Sequence, residues 1–584
     1  MSDGPWGLVP GVRVARTYRR AWLPKDIIAG LVLTAVLVPV GMGYAEAAGL
    51  PAIAGLYATI IPLLAYALFG PSPILVLGPD SSLAALIAAT VAPLALGDSA
   101  HATDLAAGLA LISGAFCIAF GILRLGLLTD LLSKPIRIGY LNGIALTVFV
   151  GQLPKLFGFK VDADGVINEA RAFLEGVANG DTNPTALAIG LASIGVIVGV
   201  RLWRPAVPGV LIAAVGATIV AGVLGLAASA GLPVVGALPQ GLPSFGIPKV
   251  TLDEMAAMVA GGLAIAVVSM ADTSVLSRTF AGRSGYRVDQ DQELRALGAA
   301  NIGAGLFAGF SISASASRTP VAQQAGAKTQ LTGAVGAISI AVLLLFLPGL
   351  TTNLPQSVLA AIVMTACLSL VDVAGLVRLW RLRRSEFALS IACFLGVAII
   401  GVVPGIFFAV GLALAAFIWR AWRPYSAILG RVDGMKGYHD VTRYPDARRV
   451  DGLVLFRWDA PLFFANAEVF REQIEAAIAA APTATRWVVV AAEPVTDVDM
   501  TAGDVLGELI ATLDASGVSL RFAELKDPTK DRLKQYGLFE TLGPDAFFPT
   551  VGSAVDAYVE ATSSDWIDWE EREREEDGED GDDR

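Results

Sequence analysis

Apolar runs of about 20 residues, the length that spans a bilayer as a helix, recur from Asp26 to Trp422 and stop beyond Pro424. We read fourteen such segments, starting near residues 26, 52, 76, 104, 134, 184, 207, 255, 292, 313, 330, 355, 385 and 404. The third and the tenth differ from the others. Each opens on an irregular stretch rich in Gly, Pro or Ser and leaves room for only a short helix. One reads Val76-Leu77-Gly78-Pro79-Asp80-Ser81-Ser82, and the other reads Ser311-Ile312-Ser313-Ala314-Ser315-Ala316-Ser317-Arg318-Thr319-Pro320. They hold corresponding places in two sets of seven. Interrupted segments in matching places of two halves point to a transport site, and an odd number of spans per half inverts the second half.

After residue 424 the pattern changes. Leu453–Trp458 and Pro461–Ala465 read as strands, Glu468–Ala481 as an amphipathic helix, Trp487–Ala492 as a buried strand, Ala502–Ala515 as a helix and Val518–Ala523 as a strand. This alternation predicts an α/β domain. The expected organisation is an N-terminal cytoplasmic segment (1–24), a transmembrane domain (25–424), a cytoplasmic α/β domain (425–562) and an acidic disordered tail (563–584).

Charge sets the orientation. With the N-terminus in the cytoplasm, the inner loops carry Arg124, Lys134 and Arg137; Arg201 and Arg204; Arg278, Arg283 and Arg287; and Arg378, Arg381, Arg383 and Arg384. The outer loops carry Asp98, Asp104, Asp162, Asp164, Glu169, Glu175 and Asp181 with few bases. This positive-inside pattern places both termini in the cytoplasm of a plasma (inner) membrane protein. The basic start, Arg13 to Lys25, precedes a long first span rather than a short cleavable one. The net charge of −11 is local, because twelve acidic residues and three arginines lie between Asp565 and Arg584.

Composition excludes several function classes. No basic stripe suggests nucleic acid. Cys117, Cys367 and Cys393 lie in apolar segments and read as small core residues, while His101 and His439 fall outside the spans. No metal-ligand cluster, cofactor motif or nucleophile–base pair appears, so the chain does not read as an enzyme.

Chemistry concentrates at the two interrupted segments. An arginine in lipid costs roughly 2.5 kcal/mol or more and is kept where it has a partner. A helix starting near Ser315 would offer free N–H groups to an anion, helped by its dipole and the hydroxyls of Ser313, Ser315 and Ser317. Asp80, Ser81 and Ser82 offer the same device after Pro79, with Asp80 as N-cap. Arg318 then either binds a small anion or pairs with Asp80, Glu46 or Asp272. In the first span, Pro39, Gly41 and Gly43 loosen the helix, and Val40 and Tyr44 share a face. Glu46, near the end of that run, and Asp272, within the eighth span, are candidates to carry a coupled proton or sodium ion. Each is otherwise a salt-bridge partner.

These stretches resemble the sulfate permease (SulP) family. The resemblance is carried by Pro39–Ala45, Gly49-Leu50-Pro51, Gly55-Leu56-Tyr57, Leu68-Phe69-Gly70, Gly78-Pro79, Gly285-Tyr286, Asp291-Gln292-Glu293-Leu294 and Ser315–Thr319, in family order. The soluble part is similar to a STAS domain. The resemblance implies a helical membrane protein of fourteen spans in a 7+7 inverted repeat, with core and gate domains, usually a homodimer. It implies an anion site between Asp80–Ser82 and Ser315–Arg318, lined by Val40 and Tyr44, with Asp272 at a cation-coupling position. The chain departs from the family in three places. Val40 replaces a frequent glutamine, Asp80 replaces a frequent apolar residue, and Met500 in Asp499-Met500-Thr501 occupies the place of the phosphorylatable serine of related STAS domains. The expected activity is alternating-access transport of sulfate, bicarbonate or a dicarboxylate, in symport with a proton or sodium ion. An uncoupled anion channel or exchanger, and a membrane signalling protein centred on the STAS domain, are the alternatives.

Overall fold

The computed structural model describes residues 9–126, 133–161, 163, 165–204, 207–315 and 317–569. Asp162, Asp164, Ala316 and most of the acidic tail lie outside the described residues. The chain forms two compact units, residues 1–413 and 414–584.

Each of the fourteen expected segments contains a helix. The first half holds α1 (Leu23–Ala47), α2 (Ala52–Phe69), α3 (Ser81–Ala95), α4 (Ser99–Ile122), α5 (Lys134–Phe157), α6 (Pro184–Trp203) and α7 (Gly209–Val223). The second holds α8 (Leu252–Ser284), α9 (Gln290–Leu306), α10 (Arg318–Gln324), α11 (Leu331–Phe346), α12 (Gln356–Cys367), α13 (Arg384–Leu395) and α14 (Val402–Trp422). Among the described residues, seven helices are long and apolar enough to cross a membrane. The third and tenth segments open on two-residue strands, β1 (Leu77–Gly78) and β2 (Ser313–Ala314), before their helices.

The inverted repeat is visible in the packing. α1 packs on α11 as α8 packs on α4, α2 on α11 as α9 on α4, and α5 on α13 as α12 on α6. Each pair maps onto its counterpart by a shift of seven helices. One group, α1–α4 with α8–α11, forms the core; α5–α7 with α12–α14 form the gate. Small residues set the closest crossings, because without a hydrophobic drive in lipid the helices associate through close packing. A Cβ at Gly114 in α4 would lie 2.9 Å from the Gly298 carbonyl in α9, and one at Gly298 would lie 2.6 Å from the Gly114 carbonyl. Gly41 serves the same end. A Cβ at Gly55 in α2 would lie 1.9 Å from its carbonyl. The loosening expected at Pro39 is not seen, since α1 runs unbroken through it.

Buried carboxylates pin the core together. Asp26 is fully buried. It accepts hydrogen bonds from the Lys328 and Thr329 amides at 2.7 and 3.1 Å and from the Thr329 hydroxyl at 2.7 Å, holding the turn into α11. Glu293, also fully buried, accepts from the Tyr66 hydroxyl at 2.6 Å and from the Ser72 hydroxyl.

The second unit is an α/β domain on one mixed sheet. Its strands are β3 (Ser426–Arg431), β4 (Tyr438–Asp440), β5 (Leu453–Trp458), β6 (Trp487–Ala491), β7 (Ser519–Ala523) and β8 (Phe547–Phe548), in the order β4-β3-β5-β6-β7-β8. β5 to β8 are parallel, which suits their continuous apolar runs. Helices α15 (Ala467–Ala479) and α16 (Met500–Ala515) cover one face through Phe456, Val488, Val490 and Phe522. On the other face, α17 (Val551–Thr562) packs on Leu455, Val489 and Ala491. Pro461–Ala465 is not a strand. Buried Asn466 accepts from the Phe463 amide and donates to the Pro461 carbonyl, both at 2.9 Å, which closes the segment into a turn. Beyond α17, the chain docks back on the domain. Buried Arg431 donates from Nε to Asp568 at 2.9 Å, with the Tyr438 and Trp569 rings each 5.5 Å from its guanidinium carbon. Asp499 caps α16 by accepting from the Ala502 amide at 2.8 Å, and Met500 beside it is exposed.

The glycine crossing gives a direct test. Gly298→Ala overpacks α4 against α9 and should cost about 1–3 kcal/mol. It should appear as a lower melting temperature in detergent, while Gly216→Ala, where a Cβ meets open space, should leave the transition unchanged.

Candidate functional site

The site is built where the interrupted segments meet. β1 and β2 pair antiparallel, Leu77 with Ala314 and Gly78 with Ser313. The Ser315 amide donates to the Val76 carbonyl at 3.0 Å, and the Val76 amide donates to Thr319 Oγ1 at 3.1 Å. Thus the backbone groups that the broken segments free are satisfied by each other. Because the strands run in opposite directions, α3 and α10 leave the pair on opposite sides.

Two polar side chains fix β2 from behind. Asn301, fully buried in α9, accepts from the Ile312 amide at 2.8 Å and donates to the Ile312 carbonyl at 3.1 Å. The Ser113 and Ser311 hydroxyls lie 2.9 Å apart.

Arg318 is the first residue of α10, three residues later than the expected start near Ser315. Ser315 instead lies in extended chain, its Oγ accepting from the Arg318 amide at 3.2 Å and lying 3.3 Å from Ser317 Oγ. Ser317 is exposed. The Arg318 side chain is 1% exposed. Its Nη2 donates to the Pro79 carbonyl, while Nε and Nη1 are buried with no hydrogen-bond partner among the described residues. Gly78 makes room for it, since a Cβ there would lie 3.1 Å from Nη1. Among the described residues no carboxylate forms an ion pair with this guanidinium, so the expected alternative, Arg318 locked to Asp80, Glu46 or Asp272, is not what the geometry contains.

Asp80 is the N-cap of α3, as expected. Its Oδ1 accepts from the Ser82 amide at 3.1 Å and the Ser82 hydroxyl at 2.9 Å. The same hydroxyl lies 3.1 Å from Asp272 Oδ2. One serine therefore links the cap of α3 to the carboxylate of α8. Tyr44 of α1 interacts with Ser81 and lies within electrostatic reach of Asp80, Arg318 and Cys367. Val40, one turn back, is buried. In α8, the hydroxyls of Ser269, Thr273 and Ser274 are buried and unpaired among the described residues, as is that of Tyr140 in α5. Tyr140 and Arg137 both lie within electrostatic reach of Asp272.

Glu46 belongs elsewhere. Its charged neighbours are Lys155 and Lys160, and Lys155 Nζ donates to the Glu46 backbone carbonyl. Thus the structure gathers Tyr44, Asp80, Ser81, Ser82, Asp272, Ser315 and Arg318 and leaves Glu46 apart. Asn301, Ser113 and Tyr140 were not singled out in the sequence. A lone asparagine within the small-residue run Ala299-Ala300-Asn301-Ile302-Gly303 was the available signal.

The sulfate permease family profile matches residues 23–393, and a STAS domain profile matches residues 444–554. The chain belongs to the sulfate permease family. It is similar to the Mycobacterium tuberculosis protein named "Probable sulfate transporter MT1781", 39% identical over 558 residues that cover 96% of this chain and 99% of the relative. It is 31% identical to human solute carrier family 26 member 6 over 485 residues, which cover 78% of this chain and 63% of that protein. Its fold is similar to the murine Slc26a9 anion transporter in the inward-facing state, with a TM-score of 0.88, 24% identity and 96% of each chain covered. The transmembrane domain of the cyanobacterial bicarbonate transporter BicA aligns with a TM-score of 0.58 at 22% identity over 68% of this chain and 98% of that one. This permease is accordingly a multi-pass membrane anion transporter, not an enzyme.

Removing the clamp behind β2 should loosen the site. Asn301→Ala leaves the buried Ile312 amide unpaired, a cost of about 1–3 kcal/mol. It should lower both the melting temperature and anion affinity, measured by thermal shift with and without added anion.

Proposed function

We propose that this permease carries a small oxyanion, sulfate before bicarbonate or a dicarboxylate, by alternating access in symport with a sodium ion or proton. One observation carries the reading: a buried arginine with two nitrogens that have no partner among the described residues, beside the paired starts of α3 and α10. A dianion there would take the guanidinium donors together with the helix-start amides and hydroxyls. Sulfate is placed first because the relative aligned over 96% of this chain bears that substrate in its name. The BicA resemblance keeps bicarbonate second.

Coupling is assigned to Asp272. Its carboxylate stands one serine away from the Asp80 cap, and Ser269, three residues earlier on the same helix face, carries a buried hydroxyl with no partner among the described residues. Glu46, next to two lysines, serves the outer end of α1 instead. The arginine-bearing loops support a plasma-membrane location with both termini cytoplasmic, and the family resemblance supports a homodimer.

The test is uptake into proteoliposomes from a panel of sulfate, bicarbonate and dicarboxylates, with and without a sodium or pH gradient. Arg318→Gln should weaken anion binding roughly 10–100-fold, the loss of charge-assisted hydrogen bonds. Asp272→Asn should leave anion binding measurable and abolish the gradient dependence, whereas Glu46→Gln should keep it. Unchanged uptake by Arg318→Gln would falsify the site. Large gradient-independent currents in planar bilayers would favour the uncoupled channel.

A further inference from the structure

A second cavity lies within the gate. Asn142 of α5 is 6% exposed, and its Nδ2 has no hydrogen-bond partner among the described residues. Its Oδ1 accepts from the Asp372 amide at 3.1 Å. An unpaired buried amide nitrogen is costly, so this donor calls for an acceptor. Asn142 belongs to the wall of a cavity of about 360 Å³ shared with Leu146, Phe149, Cys367, Leu376 and Phe394. The other walls are apolar. A passage for a hydrated anion would need polar walls, so this cavity is not part of such a route.

The chain beside the cavity has the character of an interfacial helix. Asp372 caps the helix Val373–Leu382 by accepting from the Gly375 amide at 2.7 Å. Leu376 turns inward to the cavity, while Val373, Val377 and Trp380, spaced four and three apart, are exposed along one stripe. Arg378 and Arg381 are exposed on the adjoining face, and the Arg384 guanidinium lies 5.4 Å from the Trp380 ring centroid. Apolar residues and tryptophan on one face with arginines beside them describe a helix lying in the headgroup region. Since Asn142 bonds to the residue that starts this helix, its free nitrogen stands near that same depth, where lipid esters lie.

We infer that the cavity between α5, α12, the helix Val373–Leu382 and α13 binds one anionic phospholipid of the cytoplasmic leaflet, on the orientation proposed above. One acyl chain fills the apolar cavity, an ester carbonyl accepts from Asn142 Nδ2, and the phosphate lies against Arg378 and Arg381. Cationic side chains at the inner surface favour anionic over zwitterionic headgroups. Cys367 ties this site to the first one, because it lines the cavity and lies within electrostatic reach of Tyr44 and Asp80. A lipid seated there touches the gate helices and lies next to the anion site, so its occupancy sets how readily the gate moves.

The experiment is native mass spectrometry of the full-length protein recovered from phosphatidylcholine vesicles and from mixed phosphatidylcholine–phosphatidylglycerol vesicles. The wild type should retain phosphatidylglycerol in preference to phosphatidylcholine. Leu146→Trp, which fills the cavity, should retain neither. Arg378→Gln/Arg381→Gln changes exposed side chains only and should cut the preference for phosphatidylglycerol by about tenfold or more while keeping the uncharged lipid. Equal retention of the two lipids by the wild type overturns the headgroup assignment and leaves a site for any alkyl chain. Undiminished phosphatidylglycerol on Leu146→Trp, or an unchanged preference in the double arginine variant, overturns the proposal outright. The readout needs no transport, so its failure is distinct from failure of the anion-site reading.

Discussion

Two residues pairing with two residues hold the transport domain's design together. Leu77 and Gly78 lie antiparallel to Ser313 and Ala314, and each short strand interrupts a segment that would otherwise be a helix. Within a bilayer, irregular backbone is tolerated only where its polar groups are satisfied inside the protein. Here the two breaks satisfy each other. Neither half can form its break alone, so the inverted halves are joined at the position where the chain is least regular. The opposed strand directions also determine that α3 and α10 point away from one another.

The rest of the core serves that joint. α9 and α4 cross at Gly114 and Gly298 closely enough to hold Asn301 and Ser113 against the chain entering β2. Asp26 anchors the chain leaving α10, and Glu293 anchors the loop before β1 through Ser72. These buried carboxylates are fully engaged by hydroxyl and amide donors. Arg318 is different, because its guanidinium forms no ion pair with a carboxylate among the described residues. Among the described residues, Arg318 Nε and Nη1 have no hydrogen-bond partner, whereas the Asp26 and Glu293 carboxylates do.

Much of this was legible in the chain. Segment positions followed from hydrophobic run length, and the two special segments from Gly, Pro and Ser where apolar residues were due. Asp80 as a cap followed from its place before Ser81 and Ser82. What the sequence left open depended on distant partners. The helix expected to start near Ser315 starts at Arg318, because pairing with β1 keeps Ser315 extended. Pro39 reads as a helix breaker, yet α1 absorbs it. Gly41 looks like a loosening residue until Gly55 is placed against it. Glu46 and Asp272 are equal candidates in one dimension, and only the neighbours, lysines for one and Ser82 for the other, tell them apart. Pro461–Ala465 has strand-like residues, but Asn466 ties it into a turn.

The docked segment after α17 changes how the end of the protein should be handled. Arg431 is nearly inaccessible, and its carboxylate and one of its aromatic neighbours come from residues 568 and 569. By homology alone the STAS domain would be cut near residue 554, where the family profile stops. A fragment trimmed there loses most of α17, with buried Val555 and Tyr558, as well as Asp568 and Trp569 at Arg431. Soluble pieces of this domain made for crystals or binding assays should therefore run through residue 569, so that both α17 and the segment docked on Arg431 are kept.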